Sequence, residues 1–344
     1  MAWFSPGSGI WNITGSSPSS PAAQAGDAAL KPLPRRDPHG HKGTFGTVSV
    51  VGGCCAGGAR MIGAPVLAAR AALRSGAGLV RLVMPGPIVD AAIQMLPSAT
   101  GVSLAVRADG EPVPHSAAET IDLQTGNITY PDPTGRGACD AMVVGPGLGR
   151  GDGPESIVLR ALGQDLVPVV VDADALNVMS EIEELGKDFR ARAILTPHPG
   201  EYVRLAAKLR IVADPIREKG RANAAEQLAQ RLGCLVVLKG AGTVVTDGQR
   251  TWICQRGNSA LATAGTGDVL AGLIGGLIAQ FARRGGAGED HASLSLFEAA
   301  CLGVQAHAIA AERWCERTGA QAGVLASEIA DEIPVALSEL AEAE

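Results

Sequence analysis

Apolar residues recur at helical spacing after Thr266. Val269, Leu270, Leu273, Ile274, Leu277, Ile278 and Phe281 follow the 3.6-residue period of a buried helix. Its other face reads Ala271, Gly272, Gly275, Gly276 and Ala279. Glycine weakens a helix by about 1 kcal/mol per residue, so such a face predicts a neighbour packed very close. Elsewhere, short apolar runs are closed by turn residues. Val48, Val50 and Val51 read as a buried strand ended by Gly52-Gly53. A helix opens at Ala64-Pro65, with proline in the first turn, and runs through Leu67, Ala71 and Leu73 to Gly76. Leu79 to Val83 is the next strand, and a strand–helix–strand unit of this kind builds a parallel sheet.

Further strands are expected at Ala141 to Val144, Pro168 to Val171, Ile194-Leu195 and Cys234 to Lys239. Gly242 to Thr246 and Arg250 to Cys254 form a hairpin around Asp247-Gly248. Helices are expected from Asp214-Pro215 to Gly233, from Leu294 to Arg313 and from Val324 to Leu340. Residues 101–138 mix proline, glycine and polar clusters and yield no assignment. The class is α/β with a largely parallel sheet.

Composition narrows the possibilities. The 344 residues can hold one large α/β domain or two smaller ones. Forty-six per cent hydrophobic residues, 45 glycines and only 3% aromatics suit an aliphatic α/β protein with many tight turns. A net charge of -6 leaves no basic footprint for nucleic acid. No apolar run reaches the ~20 residues of a membrane span. The cysteine count is odd, at seven, and the spacing shows no metal pairs, which reads as mostly buried, reduced thiols of a cytoplasmic protein. Residues 1–40, rich in Ser, Pro, Gly and Ala, lack the basic start and apolar core of a secretory signal. They read as a flexible extension before a domain starting at residue 41. The rival reading is that Trp3, Phe4, Ile10 and Trp11 dock on a neighbouring subunit. There is no internal repeat and no GxxxxGK[ST] loop.

Candidate chemistry concentrates where strands or loops meet helices. Gly265-Thr266-Gly267-Asp268 opens the buried helix. The free N–H groups and partial positive charge of a first turn attract phosphate, and glycine lets an anion approach the backbone. A carboxylate there is electrostatically wrong for simple anion binding. Asp268 therefore reads as a base taking a proton from a hydroxyl that attacks the phosphate, the alternative being a plain helix cap. Gly145-Pro146-Gly147-Leu148-Gly149 is not the dinucleotide fingerprint, because its spacing is GxGxG and no suitable helix pattern follows. A glycine-rich turn at a strand's carboxyl end is nevertheless where open α/β sheets bind ligands. His198 lies between two prolines at a strand-to-helix turn and reads either as structural or as functional. Lys239, at a strand end, could neutralise phosphate oxygens or simply sit on the surface.

Four separated blocks then carry a resemblance. HKGTFGTVSVVGG at 41–53, GPGLG at 145–149, TPHPGE at 196–201, and KGAGT followed by GNSALATAGTGD up to 268 resemble, in order and content, the NAD(P)H-hydrate dehydratases of the ribokinase-like superfamily. The resemblance covers roughly residues 41–340; TPHPGE and ATAGTGD are its specific parts. It implies a ribokinase-like fold with helices on both faces of the sheet, in a single domain over residues 41–344. It also implies a repair enzyme acting on NADHX and NADPHX. In that family a nucleotide phosphorylates the ring hydroxyl, and loss of phosphate restores the dihydropyridine. The members nearest in style use ADP rather than ATP.

By motif position, Asp268 would contact the substrate hydroxyl as the base. Gly265, Thr266 and Gly267 would hold the phosphoryl group and AMP moiety, with Lys239, Gly240, Ala241, Gly242 and Thr243 as the nucleotide block. Ala64, Gly149 and His198 match positions that touch the hydrated nicotinamide. Mg²⁺ bridging the phosphates is implied, with no dedicated cage; Asp172, Asp174, Asn177 and Glu201 are candidates to reach it through water. Two departures stand out. Asn258-Ser259-Ala260-Leu261 replaces the family's usual Asn-Pro-Gly-Met, which would loosen that loop. The first 40 residues are too short for the epimerase domain many relatives carry, which implies dehydratase activity alone, on the S epimer. The family tends to homotetramers. The rivals are a vitamin-precursor kinase of the same fold and a nucleotide-binding protein without catalysis.

Overall fold

Val48, Val50, Val51, Val143, Val144 and Val169 to Val171 are all buried, which is what strands covered on both faces require. The computed structural model describes residues 30–127, 138–183, 185, 189–282 and 294–341. The first 29 residues, with Trp3, Phe4, Ile10 and Trp11, lie outside the described residues, as do residues 128–137 of the unassigned 101–138 stretch.

The strands are β1 (Thr47–Val51), β2 (Leu79–Pro85), β3 (Thr100–Leu104), β4 (Ala141–Val144), β5 (Val169–Val171), β6 (Ala193–Leu195), β7 (Leu235–Leu238), β8 (Val244–Thr246) and β9 (Thr251–Ile253). They form one nine-stranded sheet in the order β3-β2-β1-β4-β5-β6-β7-β8-β9. Pairings from β3 to β7 are parallel, and the hairpin β8–β9 adds antiparallel at one edge. Because side chains alternate along a strand, neighbouring positions feed two separate cores. Val48, Val50, Val143, Val170 and Ile194 face one core. Val51, Val144, Val169, Val171 and Leu195 face the other.

The first core is covered by α1 (Gly63–Arg74), α2 (Gly86–Met95), α8 (Thr266–Phe281), α9 (Leu296–Thr318) and α10 (Ala326–Ser338). The second lies under α3 (Pro114–Thr125), α4 (Asp152–Leu162), α5 (Asp174–Glu181), α6 (Pro199–Leu209) and α7 (Glu218–Leu232). The close neighbour foreseen for the glycine face is α1 of the same chain. A Cβ added to Gly272 would lie 1.9 Å from the Ala68 carbonyl oxygen, and one on Gly276 would lie 1.9 Å from Ser75 Oγ. Gly275 instead faces the sheet, at 2.6 Å from Val143 Cγ2.

The chain runs outward from β1 through β2 to β3, then returns to place β4 on the other side of β1. That reversal is the topological switch point, where open α/β sheets bind ligands at the strands' carboxyl ends. Three expectations need correction. A helix does follow the GPGLG turn, since α4 starts at Asp152. The helix expected from Asp214 starts at Glu218, because Asp214 Oδ1 accepts from the Ile216 and Arg217 amides and closes a separate turn first. Residues 100–125 hold an edge strand and a polar helix. All seven cysteines are free thiols. Among the described residues, no helix is long and apolar enough to cross a membrane.

Gly272→Ala should destabilise the protein by about 1–3 kcal/mol, because the new methyl meets backbone that cannot swing away. Gly63→Ala, where an added Cβ meets nothing within 4 Å, should be neutral or stabilising by up to about 1 kcal/mol. Urea unfolding of the two variants separates these outcomes.

Candidate active site

Three neighbouring strand ends are tied together by one carboxylate. Asp172 follows β5 and is 1% exposed. Its Oδ1 accepts from Thr196 Oγ1, just after β6, and from Lys239 Nζ, just after β7, both at 2.6 Å. The Lys239 amide donates to the Pro197 carbonyl at 2.9 Å, and Glu201 Oε2 lies 3.8 Å from Nζ. The Lys239 side chain is only 17% exposed, so it is no surface lysine. Burial works against its charge, but Asp172, Glu201 and Asp268 outweigh that and hold its pKa above the usual lysine value. A Cβ built on Gly267 would lie 3.2 Å from Nζ, which places the ammonium over the first turn of α8.

Gly265 is the N-cap of α8, in the left-handed region at φ 90°, and no side chain caps this helix. Asp268 therefore sits in the first turn without acting as the cap. Burial drives its carboxyl up to about 7; Asp172 adds to the rise, Lys239 opposes it, and Asp174 and Glu201 push further. Glu201 is also raised to about 7, by burial first, with Lys239 opposing and Asp172 adding. A single lysine faces several carboxyls, so this cluster retains protons at neutral pH.

His198 is the N-cap of α6. Its Nδ1 accepts from the Gly200 amide at 2.9 Å and the Glu201 amide at 3.4 Å, while Glu201 Oε2 accepts from the His198 amide at 2.8 Å. This is a capping box in which histidine takes the place usually held by serine or threonine. The ring is 52% exposed. Burial, then Lys239 and Arg204, keep its pKa below the ordinary histidine value.

The second group lies around the switch point. Gly145, Gly147 and Gly149 have φ of 121°, 60° and 76°. A Cβ on Gly145 would fall 1.8 Å from the Asp172 carbonyl oxygen, so only glycine fits there. The place a Gly147 Cβ would take is 3.4 Å from the Ala64 Cβ, and that of Gly149 is 3.0 Å from Cys54 Sγ. The two groups are connected. The Gly149 amide donates to Asp174 Oδ2 at 2.9 Å, Asn177 Nδ2 reaches Asp174 Oδ1 at 3.3 Å, and Arg204 Nε donates to Asn177 Oδ1 at 2.8 Å. Between Asp172 and Asp174, Ala173 holds φ 52°, a strained setting for a residue with a Cβ.

Sequence reasoning missed several supports. Arg221, buried on α7, donates to the Leu238 and Lys239 carbonyls at 2.9 and 3.2 Å and underpins the KGAGT turn. In that turn Gly240 and Gly242 hold φ 144° and 63°, Thr243 Oγ1 donates to the Gly240 carbonyl, and Ala241 stays exposed. The signal for Arg221 was an arginine on the apolar side of a helix, in line with Ala224, Ala225 and Leu228. His307 on α9, 7% exposed, hydrogen-bonds the backbone of Thr266, and burial pushes it down to about 4, so it stays neutral. The departure at 258–261 leaves an ordered loop. Ser259–Leu261 forms a 3-10 turn, Asn258 Oδ1 accepts from the Ala260 amide, and Thr266 Oγ1 donates to the Leu261 and Thr263 carbonyls. Among the described residues, no three His, Cys, Asp or Glu side chains are grouped to hold a metal ion.

The family model for NAD(P)H-hydrate dehydratase matches residues 48–335. An ADP-dependent (S)-NAD(P)H-hydrate dehydratase of Neisseria meningitidis is 36% identical over 302 residues, covering 84% of each chain. A bifunctional NAD(P)H-hydrate repair enzyme of Coxiella burnetii is 37% identical over 86% of this chain but only 51% of its own length; the chain spans about half of such bifunctional relatives. Among solved structures, an ADP/ATP-dependent NAD(P)H-hydrate dehydratase from Bacillus subtilis, co-crystallized with ATP/Mg²⁺, superposes with a TM-score of 0.67 at 29% identity, covering 90% of this chain and 95% of that one. The fold is ribokinase-like, and with five-sixths of its length matched by the family model, the chain belongs to the NAD(P)H-hydrate dehydratase family.

Proposed function

We propose that this chain dehydrates the S epimer of NADHX and NADPHX back to the reduced cofactor, with ADP as phosphoryl donor, through a single catalytic domain over residues 41–344 preceded by an extension. The observation that carries the reading is the meeting of an uncapped Asp268 with the buried Lys239 ammonium at the first turn of α8.

Ionised Asp268 takes the proton of the ring hydroxyl as that oxygen attacks the terminal phosphorus of ADP. The bond to the bridging oxygen breaks and AMP leaves. Lys239 and the free amides at Gly267 and Asp268 take up charge on the phosphoryl oxygens, and being held in place beforehand they need no reorganisation. The ring C–O bond of the phosphate ester then breaks, with its electrons leaving on phosphate. The adjacent ring carbon loses a proton, which restores the dihydropyridine. Gly265 and Thr266 shape the phosphate turn, and Gly240, Ala241, Gly242 and Thr243 border the AMP moiety. Ala64, Gly149 and His198 border the hydrated nicotinamide.

The oxygen donors here suit Mg²⁺, a hard cation that keeps waters and takes only one or two protein carboxylates. Asp172 is engaged by Lys239 and Thr196, and Glu201 by His198. That leaves Asp268 to hold an ion carried in by the nucleotide, while Asp174, engaged by Gly149 and Asn177, could reach it only through water. Bound there, Mg²⁺ would neutralise charge on the phosphates.

Purified protein mixed with NADHX, Mg²⁺ and ADP should regain reduced-nicotinamide absorbance, with AMP and phosphate appearing in step. Nucleotide binding without recovery, with either ADP or ATP, would move the search to kinase substrates. Asp268→Asn should lower kcat by about 10²–10⁴-fold while nucleotide affinity stays within a few-fold. In the parent protein, kcat/KM should rise with pH through about 7, as Asp268 ionises.

The same carboxyl sets a stability signature. Its folded pKa of about 7 lies above the ordinary 3.8, so between about pH 4 and 7 the folded state binds the extra proton and loses stability as pH rises. Asp268→Asn should therefore melt above the parent at pH 8 and show no such advantage at pH 4. Equal melting shifts at both pH values would contradict this.

A further inference from the structure

In the proposed reaction a histidine beside the hydrated ring is an obvious candidate to remove a proton. The surroundings of His198 argue otherwise. Its Nδ1 accepts from two backbone amides, those of Gly200 and Glu201. Amide nitrogens can only donate, so Nδ1 must present its lone pair, and a proton on Nδ1 would face two N–H groups. The neutral ring then carries its hydrogen on Nε2. On that side Glu201 Oε1 lies 3.4 Å away, an acceptor placed for an N–H. Glu201 itself is fixed, buried and accepting from the His198 amide at 2.8 Å. The cap and the ring orientation are therefore one arrangement. Pro197 and Pro199 on either side remove backbone freedom that would otherwise let it relax.

We infer that His198 is a fixed hydrogen-bond donor through Nε2, set in that tautomer by two backbone amides with Glu201 as the positioning residue, and that the substrate group it meets is a carbonyl-type acceptor. Resting on the proposed function, this acceptor is the carboxamide oxygen of the hydrated nicotinamide. With the ring held by its cap and half exposed, Nε2 is open to such an oxygen beside its long contact with Glu201. His198 then selects and orients the ring, and proton removal belongs to other groups.

The tautomer can be measured without any ligand. In full-length protein labelled with ¹⁵N-histidine, long-range ¹H–¹⁵N correlations at neutral pH report both ring nitrogens of each of the six histidines. The His198 signals are those lost in His198→Asn. A bare Nδ1 and a protonated Nε2 are expected; a protonated Nδ1, alone or in an imidazolium, overturns the inference. His198→Asn also keeps a side-chain oxygen for the cap, but its amide stops short of the Nε2 position. It should raise KM for the hydrate about tenfold, with kcat changed less than threefold and nucleotide affinity unchanged. A hundredfold loss in kcat at unchanged KM is the mark of lost proton transfer and overturns it as well. A parent protein without dehydratase activity would sink the functional reading alone, and the nitrogen shifts would still decide the tautomer.

Discussion

The bond between Lys239 and Asp172 is the contact on which the rest of the site depends. Two charges taken out of water cost several kcal/mol each, and their attraction offsets this only when geometry is good and the remaining polar atoms are satisfied. Both conditions hold: the contact is 2.6 Å, and Thr196 supplies a second donor to the same carboxylate. Such a pair is a poor source of net stability and a strong source of position. It draws the ends of β5, β6 and β7 to one point and fixes the ammonium over the start of α8. Asp172 uses most of the lysine's charge, so Glu201 and Asp268, which share the remainder, ionise reluctantly. The proton-holding character of the site follows first from the burial of these carboxyls and then from this count of charges.

Much of this was legible in the sequence, because the determining features were local. Short apolar runs, most of them containing valine, marked six of the parallel strands, and the period of apolar residues after Thr266 marked α8. The glycine stripe announced a close neighbour but could not name it, since Ala68 and Ser75 are some two hundred residues away in the chain. Asp268 was readable as more than a cap because a carboxylate conflicts with an anion site. Asp172 was noticed only as a possible metal ligand; nothing local reveals that Lys239, 67 positions later, claims it.

The misses have physical causes as well. β3 is an edge strand, TGVSL, whose exposed positions dilute the apolar pattern. α3 turns Ala117 and Ile121 inward and is otherwise polar, too weak a stripe for periodicity to register. Arg221 was overlooked because an arginine near the start of a helix reads as solvated, whereas here its guanidinium closes the carbonyls of a distant turn. Tertiary partners override composition at each of these points, as expected where local pattern and long-range demand part company.

The meeting of α1 and α8 through Gly272 and Gly276 works as a ruler. α1 begins beside Ala64, on the proposed ring side, and α8 begins beside Asp268, on the proposed phosphoryl side. Gly272 is one turn beyond Asp268, about 6 Å along the axis, and Gly276 is about 12 Å along. Gly272 lies against the Ala68 backbone, and Gly276 against Ser75 Oγ and the Ala72 backbone, contacts too close for either helix to slide freely along the other. The offset between the two reacting partners is thus graduated in the scaffold before either arrives. A change in that offset would have to break these contacts first.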